Sequence, residues 1–156
     1  MLRYLLASLA AGFVLVASDA AIHANPLAVS LYAYLKPIAR ASVSPALGTL
    51  IDFGYGFALA ALFVLLRSSL PGGAGWSKAL SFAFIVWFLR VVMGVLGSWM
   101  TTTAPTAAHA YTLAAGFVQV LLTSVVLGAI LGLGRARERR GEGRQMAHAG
   151  HVNGER

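Results

Sequence analysis

The residue with the clearest chemical consequence is Arg90, because it lies inside an apolar stretch that runs from Trp76 to Met100. Placing an arginine at the centre of a membrane helix costs roughly 2.5 to 3.5 kcal/mol even on lenient insertion scales, so Arg90 requires a partner, a cavity or a function. A paired charge would fix helix register, whereas a charge on a substrate or proton pathway would serve transport. The sequence leaves both roles open.

Asp52 is the partner that hairpin geometry predicts for Arg90. The apolar segments on either side of the Leu-Pro-Gly-Gly turn form an antiparallel pair centred between Pro71 and Gly72. Residues equidistant from the centre of such a hairpin lie at the same depth, and Asp52 and Arg90 are nearly equidistant from it. We therefore expect an ion pair between adjacent helices in the outer half of the bilayer.

Gln119 is predicted to lie level with Arg90 on the next helix. The connection after the third apolar segment is centred between Ala104 and Pro105, and Arg90 and Gln119 are equidistant from that point. Two further polar side chains fall within one helical turn of these residues. The predicted intramembrane polar cluster comprises Asp52, Tyr55, Arg90, Gln119 and Thr123.

A second group of polar residues lies toward the outer ends of the apolar segments. Asp19 and His23 are four residues apart and share one helix face, and His109 and Asp52 are expected on the same side of the bilayer. Histidine and carboxylate ligands suit divalent transition metals. These four residues lack the close spacing of a recognised metal site, so the sequence favours an interfacial Asp–His pair with no metal and no other cofactor.

Four apolar segments must position these residues, and each is near the roughly 20 residues that a spanning helix needs. The 156-residue chain is 58% hydrophobic and only 11% charged, with a mean hydropathy of +0.76, which is typical of an integral membrane protein. The predicted fold is an all-α four-helix transmembrane bundle over residues 1–134. Its spans are expected at about 2–24, 46–66, 76–99 and 110–133.

Two shorter segments complete the predicted fold. Asn25 and Pro26 mark the start of a short interfacial helix in the first outer loop. Beyond Gly134, the polar, basic segment 135–156 is predicted to be a disordered tail, because it cannot bury enough apolar surface to fold. The apolar face of the loop helix is expected to comprise Leu27, Leu31, Leu35 and Ile38.

Basic residues near the ends of the spans predict the orientation. With a cytoplasmic N-terminus, Arg3, Arg67, Lys78 and the six arginines of the tail lie inside, while only Lys36 and Arg40 lie outside. The positive-inside rule therefore favours a multi-pass protein of the bacterial inner membrane with both termini in the cytoplasm.

The first apolar segment also resembles a signal peptide. Arg3, the apolar run from Leu5 to Val16 and the small residues around Ala20 fit a cleavable leader. The segment remains apolar through Ile22, which favours a retained span. Both interpretations keep the topology of the remaining chain.

Small residues at helical spacing predict close helix contacts. Gly128 and Gly132 form a GxxxG pair in the last span, and Gly56 and Ala60 form a similar pair in the second. Gly94 and Gly97 follow Arg90 at intervals of about one turn in the third. Such pairs let helix backbones approach closely, within one chain or between chains. Packing within the chain is favoured, and a membrane-protein partner or a homo-oligomer through these residues is the alternative.

Several chemistries lack the residues they need. Without cysteine there is no disulfide, thiolate nucleophile or Cys metal site. No GxSxG, HExxH, P-loop or dinucleotide motif is present. The formal charge of +7 is concentrated in a tail without the interleaved aromatic residues of a nucleic-acid-binding segment, so nucleic-acid binding is not expected.

In the hairpin from Leu62 to Phe84, a short Leu70-Pro71-Gly72 turn is followed by Lys78 and an aromatic third span. In these features the chain resembles the small bacterial four-span inner-membrane proteins of uncharacterised function. The resemblance implies the four-span class, and no functional residue is carried over from it.

The sequence therefore favours a non-enzymatic accessory or structural subunit of the inner membrane. The alternative is a small transporter or proton-coupled channel that uses Asp52 and Arg90. A third class is a membrane enzyme or metal-binding protein that uses Asp19, His23 and His109.

Overall fold

The computed structural model describes residues 1–37, 44–72 and 75–153, with side chains described through Gly132. Within these ranges the regular structure is entirely helical, so the predicted all-α fold is confirmed. The elements are α1 (Leu2–Ala24), α2 (Pro26–Leu31), a 3-10 turn (Ala33–Leu35), α3 (Pro45–Leu66), α4 (Gly75–Trp87), a π-helical turn (Phe88–Val92), α5 (Met93–Thr101) and α6 (Thr106–Asn153).

Four helical stretches are long and apolar enough to cross a bilayer, as predicted. The third comprises α4, the π-helical turn and α5, and it runs over Gly75–Thr101, while the fourth runs over Thr106–Gly132. The fourth span begins four residues before its predicted start because α6 starts directly after Pro105, whose carbonyl accepts hydrogen bonds from the Ala108 and His109 amides. These helices give the chain the form of a multi-pass membrane protein.

Helix α1 lies at the centre of the packing, between α3 and α6, and α4 packs on the other side of α6. Gly56 of α3 lies directly against the backbone of Ser8 and Gly12 on α1. Gly128 of α6 lies in the same way against Ala79 of α4. The close approaches predicted for the small-residue pairs are therefore made within the chain.

Helices α3 and α4 are consecutive in the chain, and they meet through long side chains. Phe63 packs edge-on against Phe82 with ring centroids 5.1 Å apart, and Lys78 Nζ donates to the Arg67 carbonyl. These pairs are equidistant from a point between Gly72 and the next residue. The hairpin is thus centred one residue later than predicted, and Gly72 supplies the positive φ of 114° at its turn.

The third span is interrupted at its middle by the π-helical turn Phe88–Val92, with Arg90 at its centre. A π turn holds one extra residue, and such turns occur in α-helices most often at functional sites. The Trp87 indole, immediately before the turn, donates a 3.0 Å hydrogen bond to the Leu113 carbonyl of α6. That bond ties the irregular part of the span to its neighbour.

The first loop contains the predicted helix start but not the predicted long apolar face. The Asn25 side chain accepts from the Leu27 amide and caps α2, which ends at Leu31. A 3-10 turn follows, so Leu35 does not continue the α2 face, and Ile38 lies outside the described residues. Tyr32, between α2 and the 3-10 turn, is half-buried, and its hydroxyl lies 2.7 Å from Thr112 Oγ1.

The backbone of α6 continues as helix to Asn153, past the predicted end of the last span. The side chains of this part lie outside the described residues. Disorder of the segment 135–156 therefore stays a prediction.

Candidate ligand-binding cavity

A cavity of about 400 Å³ lies between α1, α5 and α6, at the end of the bundle opposite the Gly72 turn. Tyr32 and Tyr34 of the first loop stand at its mouth, and Arg90 and Gln119 line it most deeply. Cavities of this size accommodate small-molecule ligands. Two sequence-predicted groups of polar residues, the intramembrane cluster and the Asp–His group, therefore contribute to one site.

Arg90 carries the unusual chemistry of this cavity. Its guanidinium carbon lies 4.5 Å above the centre of the Tyr55 ring, a cation–π contact between the third span and α3. Its Nη1 atom is buried and receives no hydrogen-bond partner from the described residues. Stacking uses the face of the guanidinium and leaves N–H groups at its edge free for a planar acceptor.

The predicted Asp52–Arg90 ion pair is not formed within the described chain. When the centre of a hairpin moves by one residue, the residue opposite a given position on the other helix moves by two. Arg90 therefore contacts Tyr55, one helical turn after Asp52. Asp52 is half-buried and remains within electrostatic range of Asp19, Arg90 and His23. Arg90 is thus near carboxylates without being neutralised by a direct contact.

Gln119 lines the cavity together with Arg90, but its partner is on another helix. Its Nε2 atom donates to Asp19 Oδ1 at 3.2 Å, which joins α6 to α1. Thr123, one turn deeper and fully buried, donates to the Gln119 carbonyl. The sequence analysis missed the Asp19–Gln119 bond because no hairpin connects α1 to α6.

Comparison with known proteins gives no family or relative for this site. The chain matches no protein-family model, no curated protein and no solved structure. The chemistry of the cavity must therefore be derived from its own residues.

The candidate metal ligands do not converge. His23 Nδ1 lies 2.9 Å from the Asp19 carbonyl and 3.7 Å from Asp19 Oδ2, so these two residues form a local pair on α1. His109 lines the same cavity, but the described residues contain no group of three or more metal-ligating side chains. The structure therefore supplies no geometry for a metal centre at Asp19, His23 and His109.

His109 is the second buried residue with an unused polar atom in this cavity. It is only 8% exposed, its Nε2 lies 3.4 Å from Ser98 Oγ, and its Nδ1 has no partner in the described chain. A serine and a histidine at this distance would also need a group that orients the imidazole through its other nitrogen. That position is unpaired here, so the arrangement suits binding better than nucleophilic catalysis.

Tyr32, Tyr34 and Ser98 were not predicted as cavity residues. The two tyrosines carry the aromatic signal of a membrane interface, which the sequence does show. The same signal does not indicate that the loop folds over the end of the bundle and that the Tyr32 hydroxyl contacts Thr112. The loop over the cavity is therefore joined to α6 by a long-range contact that hydropathy does not reveal.

Proposed function

We propose that the chain is a non-enzymatic, multi-pass protein of the bacterial inner membrane that binds a small polar solute in this cavity. The observation that carries the proposal is that Arg90 lines the cavity and has a buried Nη1 atom without a hydrogen-bond partner in the described residues. A buried guanidinium nitrogen without a hydrogen bond costs stability, so its retention in a ligand-sized space favours a binding role. This function belongs to the transporter class.

The distribution of basic residues supports an outward-facing mouth for the cavity. Arg3, Arg67 and Lys78 lie toward the end of the bundle that carries the Gly72 turn, and the cavity lies toward the other end. The positive-inside rule assigns the basic end to the cytoplasm. A solute would then enter from the outer side, past Tyr32 and Tyr34.

The shape of the cavity supports binding rather than an open channel. Its lining ends at Gln119, and the next inward-facing residues of α6, Val120, Thr123 and Leu127, are at most 1% exposed. The bundle is therefore closed on the side of the Gly72 turn. Any passage of the solute would require a second conformation.

The small residues of the accessory-subunit hypothesis pack within the chain, and a role as a subunit stays a prediction. Ala60 is fully buried, and Gly56 and Gly128 lie against other helices of the same chain. A partner or a second copy would have to use the lipid-facing side chains instead. No observation in the described residues selects such a face.

Cysteine accessibility tests the proposed function, and the chain has no native cysteine to interfere. We expect Ser98→Cys, in the cavity wall, to react with a membrane-impermeant charged thiol reagent applied to the outside of spheroplasts. Phe13→Cys, at the middle of α1 and exposed on the apolar surface, should react at least about tenfold more slowly, because a thiolate does not form in hydrocarbon. Leu127→Cys, which replaces a fully buried residue, is the second control.

Two outcomes would contradict the proposal. A Ser98→Cys protein that reacts with the reagent neither in spheroplasts nor in inverted vesicles would show that water does not reach the cavity. Reaction in inverted vesicles alone would show that the orientation is reversed.

A further inference from the structure

We propose that the solute is a zwitterion, whose oxyanion binds at Arg90 and whose ammonium group binds at Asp19. This inference rests on the proposed function, because it assigns a chemical class to the ligand of the same cavity. The shared chemistry is a primary ammonium group and an oxyanion a few bonds apart, as in a free amino acid or in the phosphoethanolamine head group of a lipid.

Arg90 supplies the site for the oxyanion. Its guanidinium face is occupied by the Tyr55 ring, and its buried Nη1 has no acceptor from the described residues. The free edge of a guanidinium matches the planar geometry of a carboxylate or two phosphate oxygens. Tyr55 thus holds the cation in place at the cavity wall, to which Arg90 contributes.

Asp19 supplies the site for the cation. Its Oδ1 atom accepts from Gln119 Nε2, which fixes the orientation of the carboxylate. Its Oδ2 atom has no hydrogen bond among the described residues, and it lies 3.7 Å from His23 Nδ1. Asp19 lines the cavity, and one of its carboxylate oxygens has acceptor capacity that the described residues leave unused.

The two opposite charges lie on different walls of the cavity at a similar depth. Asp19 is hydrogen-bonded to Gln119 of α6. Val91, the neighbour of Arg90, packs against Gly116, which precedes Gln119 by about one turn of α6. No ion pair within 4.0 Å joins Arg90 to Asp19. A positive and a negative group that face the same space without neutralising each other are complementary to a molecule with both charges.

The charge balance of the lining favours a zwitterion over a simple anion. With neutral histidines, Arg90 and Asp19 give the lining a formal charge of zero, and Asp52 lies close by without lining the cavity. A simple anion would gain the attraction of Arg90 but meet the repulsion of both carboxylates. A zwitterion gains a favourable contact at each end.

Matched ligand pairs test this proposal on the full chain in a non-ionic detergent. We expect an amino acid, such as alanine or phenylalanine, to raise the apparent Tm by about 3 °C at saturation. The corresponding acids without the amino group, propionate and phenylpropionate, should give less than half of that shift at the same ionic strength. Intrinsic tryptophan fluorescence reports the transition.

A lipid arm distinguishes the source of the zwitterion. If the ligand is a head group, added phosphatidylethanolamine should give the Tm shift and phosphatidylglycerol, which has no ammonium group, should not. Either a response to free amino acids or a response to phosphatidylethanolamine supports the proposal. Each response must be lost in both Arg90→Gln and Asp19→Asn, and retained in Arg3→Gln at the exposed start of α1.

The rate of thiol labelling is a second measurement, and it does not require the Arg90 and Asp19 variants to fold. The zwitterion that raises the Tm should also slow the labelling of Ser98→Cys in a chain that retains Arg90 and Asp19. Equal effects of an amino acid and its acid without the amino group, or no effect of any zwitterion, would overturn the proposal. If Ser98→Cys is nevertheless labelled from outside, the cavity and the proposed function survive that failure.

Discussion

Replacing Arg90 by methionine should raise the free energy of unfolding of the ligand-free protein by about 1 to 2 kcal/mol. The reason is that the substitution removes a buried Nη1 atom without a partner, whose desolvation costs about 1 to 3 kcal/mol. Methionine keeps a long side chain against Tyr55 and makes a favourable sulfur–aromatic contact in place of the cation–π contact. Reversible unfolding in mixed micelles, followed by tryptophan fluorescence, measures the change.

The sign of this effect separates a ligand-binding arginine from a structural one. An arginine that formed a buried ion pair with Asp52 would leave an unpaired carboxylate when removed, at a cost of about 3 to 5 kcal/mol. Arg3→Met, at an exposed position, should leave the unfolding free energy unchanged and is the matched control. A decrease of several kcal/mol for Arg90→Met alone would show that Arg90 is a structural partner.

Gly56→Ala should lower the free energy of unfolding by about 2 to 4 kcal/mol, because it pushes α1 and α3 apart. A Cβ atom at Gly56 would lie 2.5 Å from the Gly12 amide nitrogen and 2.7 Å from the Ser8 carbonyl oxygen. Both are backbone atoms, so relief requires a displacement of a whole helix. The same unfolding assay measures the loss.

Gly54→Ala is the matched control for this prediction. It lies on the same helix two residues earlier, and a Cβ atom there would meet nothing within 4 Å. Alanine is preferred over glycine in helix interiors by roughly 0.5 to 1 kcal/mol, so Gly54→Ala should be neutral or slightly stabilising. Equal losses at both positions would contradict the packing of α1 against α3.

The number and type of helices could be predicted from the sequence because they depend on local properties. Each span is a continuous apolar stretch of bilayer length, and Asn25 followed by Pro26 is a helix start in the structure as well. These features require no knowledge of which helix lies beside which. They are therefore independent of the tertiary arrangement.

The identity of the Arg90 partner could be predicted only to within one helical turn. Hairpin symmetry brings Arg90 to the depth of α3 residues 52 to 55, and the choice between Asp52 and Tyr55 depends on the exact centre of the turn. A sequence pattern locates that centre to about one residue. The resulting error decides whether Arg90 is an ion-pair partner or a free cation in a cavity.

Hairpin symmetry could not predict contacts between helices that are not joined by a short turn. The Asp19–Gln119 bond links α1 to α6, and hairpin symmetry says nothing about that pair. Ser8 and Gly12 are small residues on one face of α1, and Gly56 packs against them. Their spacing could have indicated that α1 packs closely against another helix. The sequence predicts close contacts from small residues in the second, third and last spans, and none from those of α1.

The small residues near Arg90 serve a different purpose from those in α1. A Cβ atom at Gly94 or Gly97 would meet nothing within 4 Å, so these glycines do not bring helices together. Gly94 instead lines the cavity one turn above Arg90, where the lack of a side chain keeps space open. Packing and space-making glycines have the same appearance in a sequence.

The charge selectivity of labelling at Gly94→Cys tests the central claim most directly, because this position lines the cavity one turn from Arg90. The measurement is the ratio of its reaction rates with the anionic sulfonatoethyl and the cationic trimethylammonioethyl methanethiosulfonates, applied from outside. Comparing this ratio in Arg90 and Arg90→Gln backgrounds cancels the intrinsic rates of the reagents and any change in thiol ionisation. We predict that Arg90→Gln lowers the anion-to-cation ratio by about tenfold. An unchanged ratio, or no reaction of Gly94→Cys with either reagent, would contradict an accessible cavity with the charge of Arg90 in its wall.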